Sequence, residues 1–281
     1  MQNKHMAAER SYRRFEAPSR FASAVEHAWI TRDPVGFREV SLPDGRGLVL
    51  VVAGPSAWVS DPLTGTARDE GTSVRGPALR VEVREVTGAA VRLGLQLAPS
   101  GLSRLWAARP VPRTSMDAAT LLGADVVLAV QEALVQGDDA RALATVWAAL
   151  DRLPRHDSDE ADRLCEALRF AESQRGLVRS ADLAREAGVS LGELHRWCVH
   201  LLGVEPSQWL SAVRFSAFVR EAIGPGRLRA EDVLAAVRWY SQAGYNAREV
   251  ERFTGITPAI LRRLIDRLDA FLADRPESLF V

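Results

Sequence analysis

The spacing of apolar residues changes near residue 115, and this change constrains the fold more than any other feature of the sequence. Before it, short apolar runs alternate with turn residues, at 36–42, 47–54, 57–65, 78–88 and 89–101. Within one run Leu79, Val81 and Val83 alternate with charged residues, the period of two typical of a strand with one solvated face. This half predicts a small antiparallel barrel or sandwich, with a short helix or strand near 21–30 ahead of it.

From residue 117 onwards the pattern is helical. Apolar residues recur at helical spacing over 117–136, 139–153 and 159–170. Two prolines in the stretch 109–117 close the β-rich part. The segment that follows is too long and too apolar for a flexible linker, so it predicts a helical connector.

Composition narrows the class of protein only slightly. The 281 residues suggest about two domains, and 47% hydrophobic with 26% charged residues is typical of a soluble globular protein. The two cysteines, Cys165 and Cys198, are too few for a disulfide framework, so we expect a reducing compartment, the cytoplasm. The N-terminus lacks the apolar core of a signal peptide, and the longest apolar stretch, 120–135, is interrupted by polar residues, so no membrane contact is expected.

The segment 180–201 predicts two short helices joined by a glycine turn. Ser180 is a candidate N-cap, and Gly188 stands where a left-handed residue would end the first helix. Ser190 and Glu193 form the S-x-x-E pattern of a capping box for the second helix. This pattern fits a helix-turn-helix, whose second helix enters the major groove in DNA-binding proteins. Taken alone, it more often marks an ordinary corner between two helices.

The pattern recurs 67 residues further along the chain. The matched pairs are Arg185 with Arg252, Gly188 with Gly255, Val189 with Ile256, Ser190 with Thr257, Leu194 with Leu261, and Arg196 with Arg263. The constant offset predicts two helix-turn-helix units in the last part of the chain.

At these residues the chain resembles the AraC/XylS family of bacterial transcription regulators. The stretch 183–214 resembles the family's first motif and the start of its connecting helix, and RFTGITP at 252–258 resembles its closing signature. The resemblance implies two helix-turn-helix units joined by a long helix, here 206–223. The N-terminal half, with LPDGRGLVLVV at 42–52, is weakly similar to the β-rich sensor domains found ahead of such motifs.

Patterns and resemblance together predict an α+β protein in three parts. A β-rich sensor or dimerisation domain would occupy 1–115, the helical connector 116–175, and an all-α double helix-turn-helix DNA-binding domain 176–281. The predicted function is a sequence-specific transcriptional regulator that responds to a small-molecule effector. Its partners would be double-stranded DNA, a second copy in a homodimer and, for an activator, RNA polymerase. The alternative is a protein-interaction or ligand-binding protein whose helical domain has lost DNA contact.

Candidate DNA contacts in the first motif lie on its second helix. They are Ser190, Gly192, Glu193, His195 and Arg196. An arginine suits this role because its planar fork donates two parallel hydrogen bonds to phosphate or guanine. The charge balance argues the other way, since 171–281 holds 15 arginines against 14 acidic residues, whereas DNA affinity comes largely from neutralising phosphates.

Two registers compete for the second motif. The family register places the reading helix at roughly 242–252, with contacts from Gln242, Tyr245, Arg248 and Arg252. The register of the 67-residue repeat places a first helix at 247–253, capped by Asn246 and Glu249. Its reading helix would then span 257–268 and carry Arg262 and Arg263. We favour the family register.

The sequence offers little for catalysis and one weak ligand pattern. No glycine-rich phosphate loop, paired-carboxylate spacing or nucleophile elbow is present, so we expect neither an enzyme nor a cofactor. His195, Cys198 and His200 have a conceivable metal-ligand spacing but fit a packed helix better, so no metal is expected.

Trp29, Trp58 and Arg38 are candidate ligand-binding residues of the β-rich domain, although large aromatic residues more often fill its core.

Overall fold

The computed structural model describes residues 11–106, 115–224 and 230–273. The strands are β1 (Ser11–Glu16), β2 (Val25–Asp33), β3 (Phe37–Ser41), β4 (Leu48–Ala53), β5 (Ala57–Ser60), β6 (Ala67–Glu70), β7 (Ser73–Arg75), β8 (Glu82–Val86), β9 (Ala90–Leu97) and β10 (Met116–Asp117). They form a six-stranded sheet in the order β1-β2-β9-β4-β7-β10 and a four-stranded sheet in the order β3-β8-β5-β6. Paired strands are antiparallel throughout.

Helices dominate the rest of the described chain. They are α1 (Gly101–Leu105), α2 (Ala119–Leu122), α3 (Ala124–Val135), α4 (Asp139–Asp151), α5 (Asp159–Ser173), α6 (Ser180–Glu186), α7 (Leu191–Trp197), α8 (Pro206–Ile223), α9 (Ala230–Gln242), α10 (Ala247–Thr254) and α11 (Pro258–Ala273). A π-helical turn, Cys198–Leu202, extends α7. The protein is therefore α+β, as predicted.

Most predicted elements of the β-rich half are present, with differences at short or irregular strands. The segment near 21–30 is the strand β2 preceded by a turn of 3₁₀ helix at Ser19–Phe21. The described strands form two separate sheets with open edges and not one closed barrel. Strands β1, β6 and β7 were not predicted, because their residues are largely polar or the strands are very short. The closing stretch 109–117 lies mostly outside the described residues.

The six-stranded sheet buries one face against α3 and α4. Alternate residues of a strand point to opposite faces, so Ala28 and Ile30 of β2 enter this core while Trp29 and Thr31 point away from it. Helix α5 instead packs with α6, α7 and the first half of α8. The helices of 116–175 are thus divided between two cores. The domain boundaries at 115 and 175 remain predictions.

A third core joins the two halves of the chain. Val40 of β3 and Val83 of β8 pack with Phe215 and Val219 of α8 and with apolar residues of α9 and α11. At the edge of this core Arg38 donates to the backbone oxygen of Phe271 at 3.3 Å. The second half of α8 therefore has the four-stranded sheet on one side and the last helices on another.

Trp209 fixes the first half of α8 to the β-rich half. Its indole is fully buried, and its Nε1 donates to the backbone oxygen of Gly45 at 3.0 Å. Gly45 has φ +70°, and a β-carbon there would lie 2.5 Å from the same indole nitrogen. Only glycine meets both the conformation and the close approach.

We predict that Trp209→Ala costs about 3–5 kcal/mol of unfolding free energy, the usual loss for a buried tryptophan. Trp239→Ala is the matched control, because that ring is 60% exposed, and it should change stability by no more than about 0.5 kcal/mol. Urea unfolding followed by circular dichroism measures both. Equal midpoints for the two variants would show that Trp209 does not anchor α8.

Candidate nucleic-acid interface and effector cavity

The first helix-turn-helix is formed by α6 and α7. Gly188 ends the first helix with φ +63°, as the sequence predicts. The Ser190 hydroxyl accepts the Glu193 backbone N–H at 3.2 Å, and the Ser190 backbone N–H donates to the Glu193 carboxylate at 3.0 Å. The capping box is therefore confirmed. Ser180 is not the N-cap of α6 but its first residue, since the Asp182 carboxylate accepts the backbone N–H of Arg179 at 2.9 Å.

Helix α7 exposes the face that carries the predicted contacts. Leu194 and Cys198 are buried, whereas His195 and Arg196 are exposed. Among the described residues no carboxylate lies within ion-pair distance of Arg196. Hydrogen bonds from Ser190 lower the pKa of Glu193, which keeps that carboxylate charged and engaged in the cap. Ser190 and Glu193 thus orient the helix, and Gly192 lies on an open surface.

The second motif has helix boundaries that differ from the family register. Helix α9 ends at Gln242, and Gly244 has φ +79°, so 242–252 is not one helix. Helix α10 begins after Asn246, whose side chain accepts the Glu249 backbone N–H at 3.0 Å. Gly255, with φ +73°, ends α10. The repeat register predicts both ends of α10 and the start of α11 to within one residue, but α11 continues to Ala273 and not to residue 268.

Helices α10 and α11 differ in how much of their surface is buried. Helix α10 buries only Val250 and Thr254 and exposes Arg248 and Arg252. Helix α11 buries Leu261, Leu264, Ile265 and Leu268 and exposes Arg262 and Arg263. Of the other two candidates, Gln242 is the last residue of α9, and Tyr245 lies in the turn with its ring stacked on Tyr240. Within the described chain these four arginines form no ion pair.

The arginines of the β-rich half behave differently. There, Arg46, Arg68, Arg80, Arg84, Arg92 and Arg104 each form an ion pair with a carboxylate at 3.0 Å or less. The near-zero total charge holds in both parts of the chain, since 171–281 alone has 15 arginines and 14 acidic residues. It does not describe the surface of α7, α10 and α11.

The described residues hold no group of three or more His, Cys, Asp and Glu side chains placed to bind a metal ion. His195 is exposed while Cys198 is fully buried, and burial raises the pKa of the Cys198 thiol to about 12. No helix in the described ranges is long and apolar enough to cross a membrane.

A cavity of about 940 Å³ lies between the six-stranded sheet and α8. His27, Trp29 and Thr31 line it from β2 because alternate residues of this strand face away from the first core. Helix α8 contributes Ser216 and Arg220. The Nδ1 atom of His27 and the hydroxyl of Thr31 are buried and form no hydrogen bond with a described residue.

Arg46 connects the two sides of this cavity. Its Nε donates to Glu26 at 2.7 Å, and its Nη1 lies 2.8 Å from a carboxylate oxygen of Glu172 on α5. Burial raises the pKa of Glu172, and Arg46 opposes the rise. Burial also raises the pKa of Asp44, whereas burial and the charge of Arg14 lower the pKa of His27. The cavity is therefore polar and carries charges of both signs.

The structure does not bring the three predicted ligand-binding residues together. Trp29 lines the cavity, but Arg38 forms an ion pair with Glu85 at 3.0 Å and contacts Phe271. Trp58 is 54% exposed on the four-stranded sheet. Neither Arg38 nor Trp58 lines the cavity that Trp29 lines, and the role of the three residues in ligand binding stays a prediction. The sequence analysis did not name Thr31 and Arg220 as cavity residues. Thr31 could have been found, because residues two apart in a strand such as β2 share a face, and Trp29 was a candidate.

Comparisons with known proteins give only weak likenesses. No family model matches the chain, and no curated protein matches it. Among solved structures, ToxT from Vibrio cholerae O395 is similar with a TM-score of 0.38 and 11% identity, covering 91% of this chain and 97% of ToxT. ToxT from strain SCE256 with a bound unsaturated fatty acid has a TM-score of 0.34 and 10% identity, covering 84% and 98%. The AraC-like transcriptional activator CuxR has a TM-score of 0.18 and 12% identity, covering 94% and 86%.

Gly188→Val should destabilise the protein by more than about 1–2 kcal/mol, because a β-branched residue is strained in the left-handed region. Gly192→Val is the matched control, since the space around Gly192 is open and its φ is not positive. That variant should stay within about 0.5 kcal/mol of the parent protein. Thermal unfolding compares them, and parental stability in Gly188→Val would show that the turn is not left-handed in solution.

Thr31→Val should leave stability unchanged or raise it, because the buried hydroxyl of Thr31 makes no hydrogen bond with a described residue. Thr254→Val is the control, because its buried hydroxyl donates to the backbone oxygen of Val250 at 2.6 Å. Its loss should cost about 1–3 kcal/mol. A comparable loss in Thr31→Val, measured by urea unfolding, would mean that Thr31 is a structural residue and not one held for a ligand.

Proposed function

We propose that the protein is a DNA-binding transcriptional regulator of the AraC type whose reading helices are α7 and α10. The observation that carries the proposal is the set of exposed arginines on these helices, Arg196, Arg248 and Arg252, for which no described carboxylate lies within ion-pair distance. Exposed arginines that form no ion pair are available to neutralise phosphates and to bind base edges. No enzyme activity is proposed.

The packing of α10 supports its choice over α11. A helix that enters a major groove needs a free face, and α10 exposes all its side chains except Val250 and Thr254. Helix α11 carries a continuous buried stripe that packs with α9. Helix α8 lies between the two units and would set the spacing of their reading helices on one side of a duplex.

The cavity beside α8 would hold the effector. His27, Thr31 and Arg220 offer polar groups to a small molecule, and Trp29 offers an apolar surface. Because α8 forms one wall of the cavity and also packs with the helices of both units, an effector there can change the position of one unit relative to the other. A second copy of the chain and RNA polymerase are further partners in this proposal.

The double variant Arg248→Ala with Arg252→Ala should weaken specific DNA binding by about 2–6 kcal/mol, taking ~1–3 kcal/mol for each good base contact. The specific duplex is first selected from a random library and then titrated at one fixed salt concentration by fluorescence anisotropy. Arg141→Ala with Arg152→Ala is the matched control. It removes two exposed arginines, one in α4 and one at its C-cap, from a helix that packs on the six-stranded sheet and not with the helix-turn-helix units, and it should leave affinity unchanged.

Two results would change the proposal in different ways. If Arg262→Ala with Arg263→Ala weakens binding and the α10 pair does not, α11 is the reading helix. If the library yields no enriched sequence and the protein binds scrambled DNA equally well, it is not a sequence-specific regulator, and the alternative of an interaction or ligand-binding protein is favoured.

Arg196→Ala should also weaken specific binding, by about 1–3 kcal/mol, while leaving the unfolding free energy unchanged. The unchanged stability is expected because the Arg196 side chain is exposed and no described acid pairs with it. If the variant loses as much unfolding free energy as binding free energy, Arg196 stabilises helix α7 and does not contact DNA.

A further inference from the structure

A second cavity, of about 470 Å³, lies within the helical part of the chain. Helices α8, α9 and α10 and the segment before α6 surround it. Its volume is within the range of sites that hold small molecules. It is distinct from the effector cavity because none of the strands of the β-rich half lines it.

Aromatic side chains form the walls of this second cavity. Tyr240 contacts Phe218 edge to face and stacks on Tyr245, with ring centroids 4.7 Å apart in both pairs. Trp239, Tyr245 and Phe253 all line the cavity while remaining exposed to solvent. Large apolar side chains that converge on one exposed site are characteristic of binding surfaces.

Arg214 places a cation in these apolar surroundings. Its Nε and Nη2 donate to the backbone oxygen of Gly176 at 3.0 and 2.9 Å, and its Nη1 donates to no residue in the described ranges. Burial lowers the pKa of Arg214, and the charge of Glu251 only partly opposes this. No described carboxylate lies within ion-pair distance of the guanidinium.

The other charges of the cavity cancel each other. Arg175 Nη1 lies 2.8 Å from both carboxylate oxygens of Glu221 at an exposed edge. The lining therefore has one net positive charge, on Arg214. A neutral apolar ligand would leave that charge without compensation.

We infer that this cavity is a binding site for a small carboxylic acid with an aromatic body. The carboxylate would accept hydrogen bonds from Arg214, and the ring would pack among Trp239, Tyr240 and Phe253. Charge-assisted hydrogen bonds of this kind are about twice as strong as neutral ones, and aromatic rings favour stacked or edge-to-face neighbours. The inference is independent of the proposed DNA contacts.

The test titrates 3-phenylpropionate, with 3-phenylpropanamide as the uncharged analogue of the same shape, into nitrogen-15-labelled protein. Nuclear magnetic resonance follows the indole N–H signals of the seven tryptophans. Trp239→Ala and Trp29→Phe assign the two signals that matter, because each variant lacks one of them. We expect saturable shifts of the Trp239 signal and an affinity for the acid roughly tenfold above that for the amide.

Three variants separate the ring contact from the charge contact. Trp239→Ala should weaken binding of the acid about tenfold or more, while Trp58→Ala, which removes another half-exposed tryptophan far from the cavity, should leave it unchanged. In Trp239→Ala, which lacks the reporter indole, binding is followed by the backbone N–H signal of Ala222, which lines this cavity. Arg214→Gln should abolish the preference for the acid and keep the affinity for the amide.

The proposal is overturned by any of three results: no saturable shift at Trp239, equal affinities for acid and amide, or shifts confined to Trp29, which would place the acid in the other cavity. If Arg214→Gln does not fold, the acid and amide titrations of the parent protein together with Trp239→Ala still decide the question. Titration without DNA keeps this test separate from the DNA-binding proposal.

Discussion

The contact between Trp209 and Gly45 holds helix α8 against the β-rich half of the chain, and much of the molecule is arranged around this helix. Its first half packs with α5, α6 and α7, and its second half shares a core with β3, β8, α9 and α11. One wall of each of two cavities is also made by α8. Because packed interiors respond to shape changes as units, the ligands proposed for the two cavities would act on α8, the helix that connects the two helix-turn-helix units.

The two halves have similar net charges but pair their arginines differently. The β-rich half pairs its arginines with carboxylates, several of them at least half-buried, whereas α7, α10 and α11 expose arginines that no described acid pairs with. A net charge of zero is thus compatible with nucleic-acid binding, since phosphate contacts depend on local side chains and not on the sum over the chain.

Sequence patterns predicted helices and helix caps correctly where residues close together in the chain determine them. The capping pair of Ser190 and Glu193, the left-handed Gly188 and the helix 206–223 each depend on neighbours within a few residues, and the structure has them as predicted. The register of the second motif was harder, because Gly244 interrupts an apolar pattern that continues across it. The repeat located α10 and α11 correctly because glycine and N-cap positions recur with it.

The cavities could not be located from the sequence. Of Trp29, Arg38 and Trp58, only Trp29 lines the larger cavity, because which side chains meet there depends on pairings between distant strands, which leave little trace in local spacing. Arg220 and Arg214 come close to their cavities only through the packing of α8. Local patterns thus predict elements and caps, whereas cavities that form between elements require the tertiary structure.

The measurement that tests the central claim most directly is the salt dependence of DNA binding by the unmodified protein. Each phosphate neutralised by an arginine should contribute about −0.9 to the slope of log K against log salt. If Arg196, Arg248 and Arg252 each neutralise a phosphate, the slope of log K against log salt should be about −3 or steeper. A slope near zero, or no complex at low salt, would contradict the account, because unpaired arginines on α7 and α10 would then have no part in binding DNA.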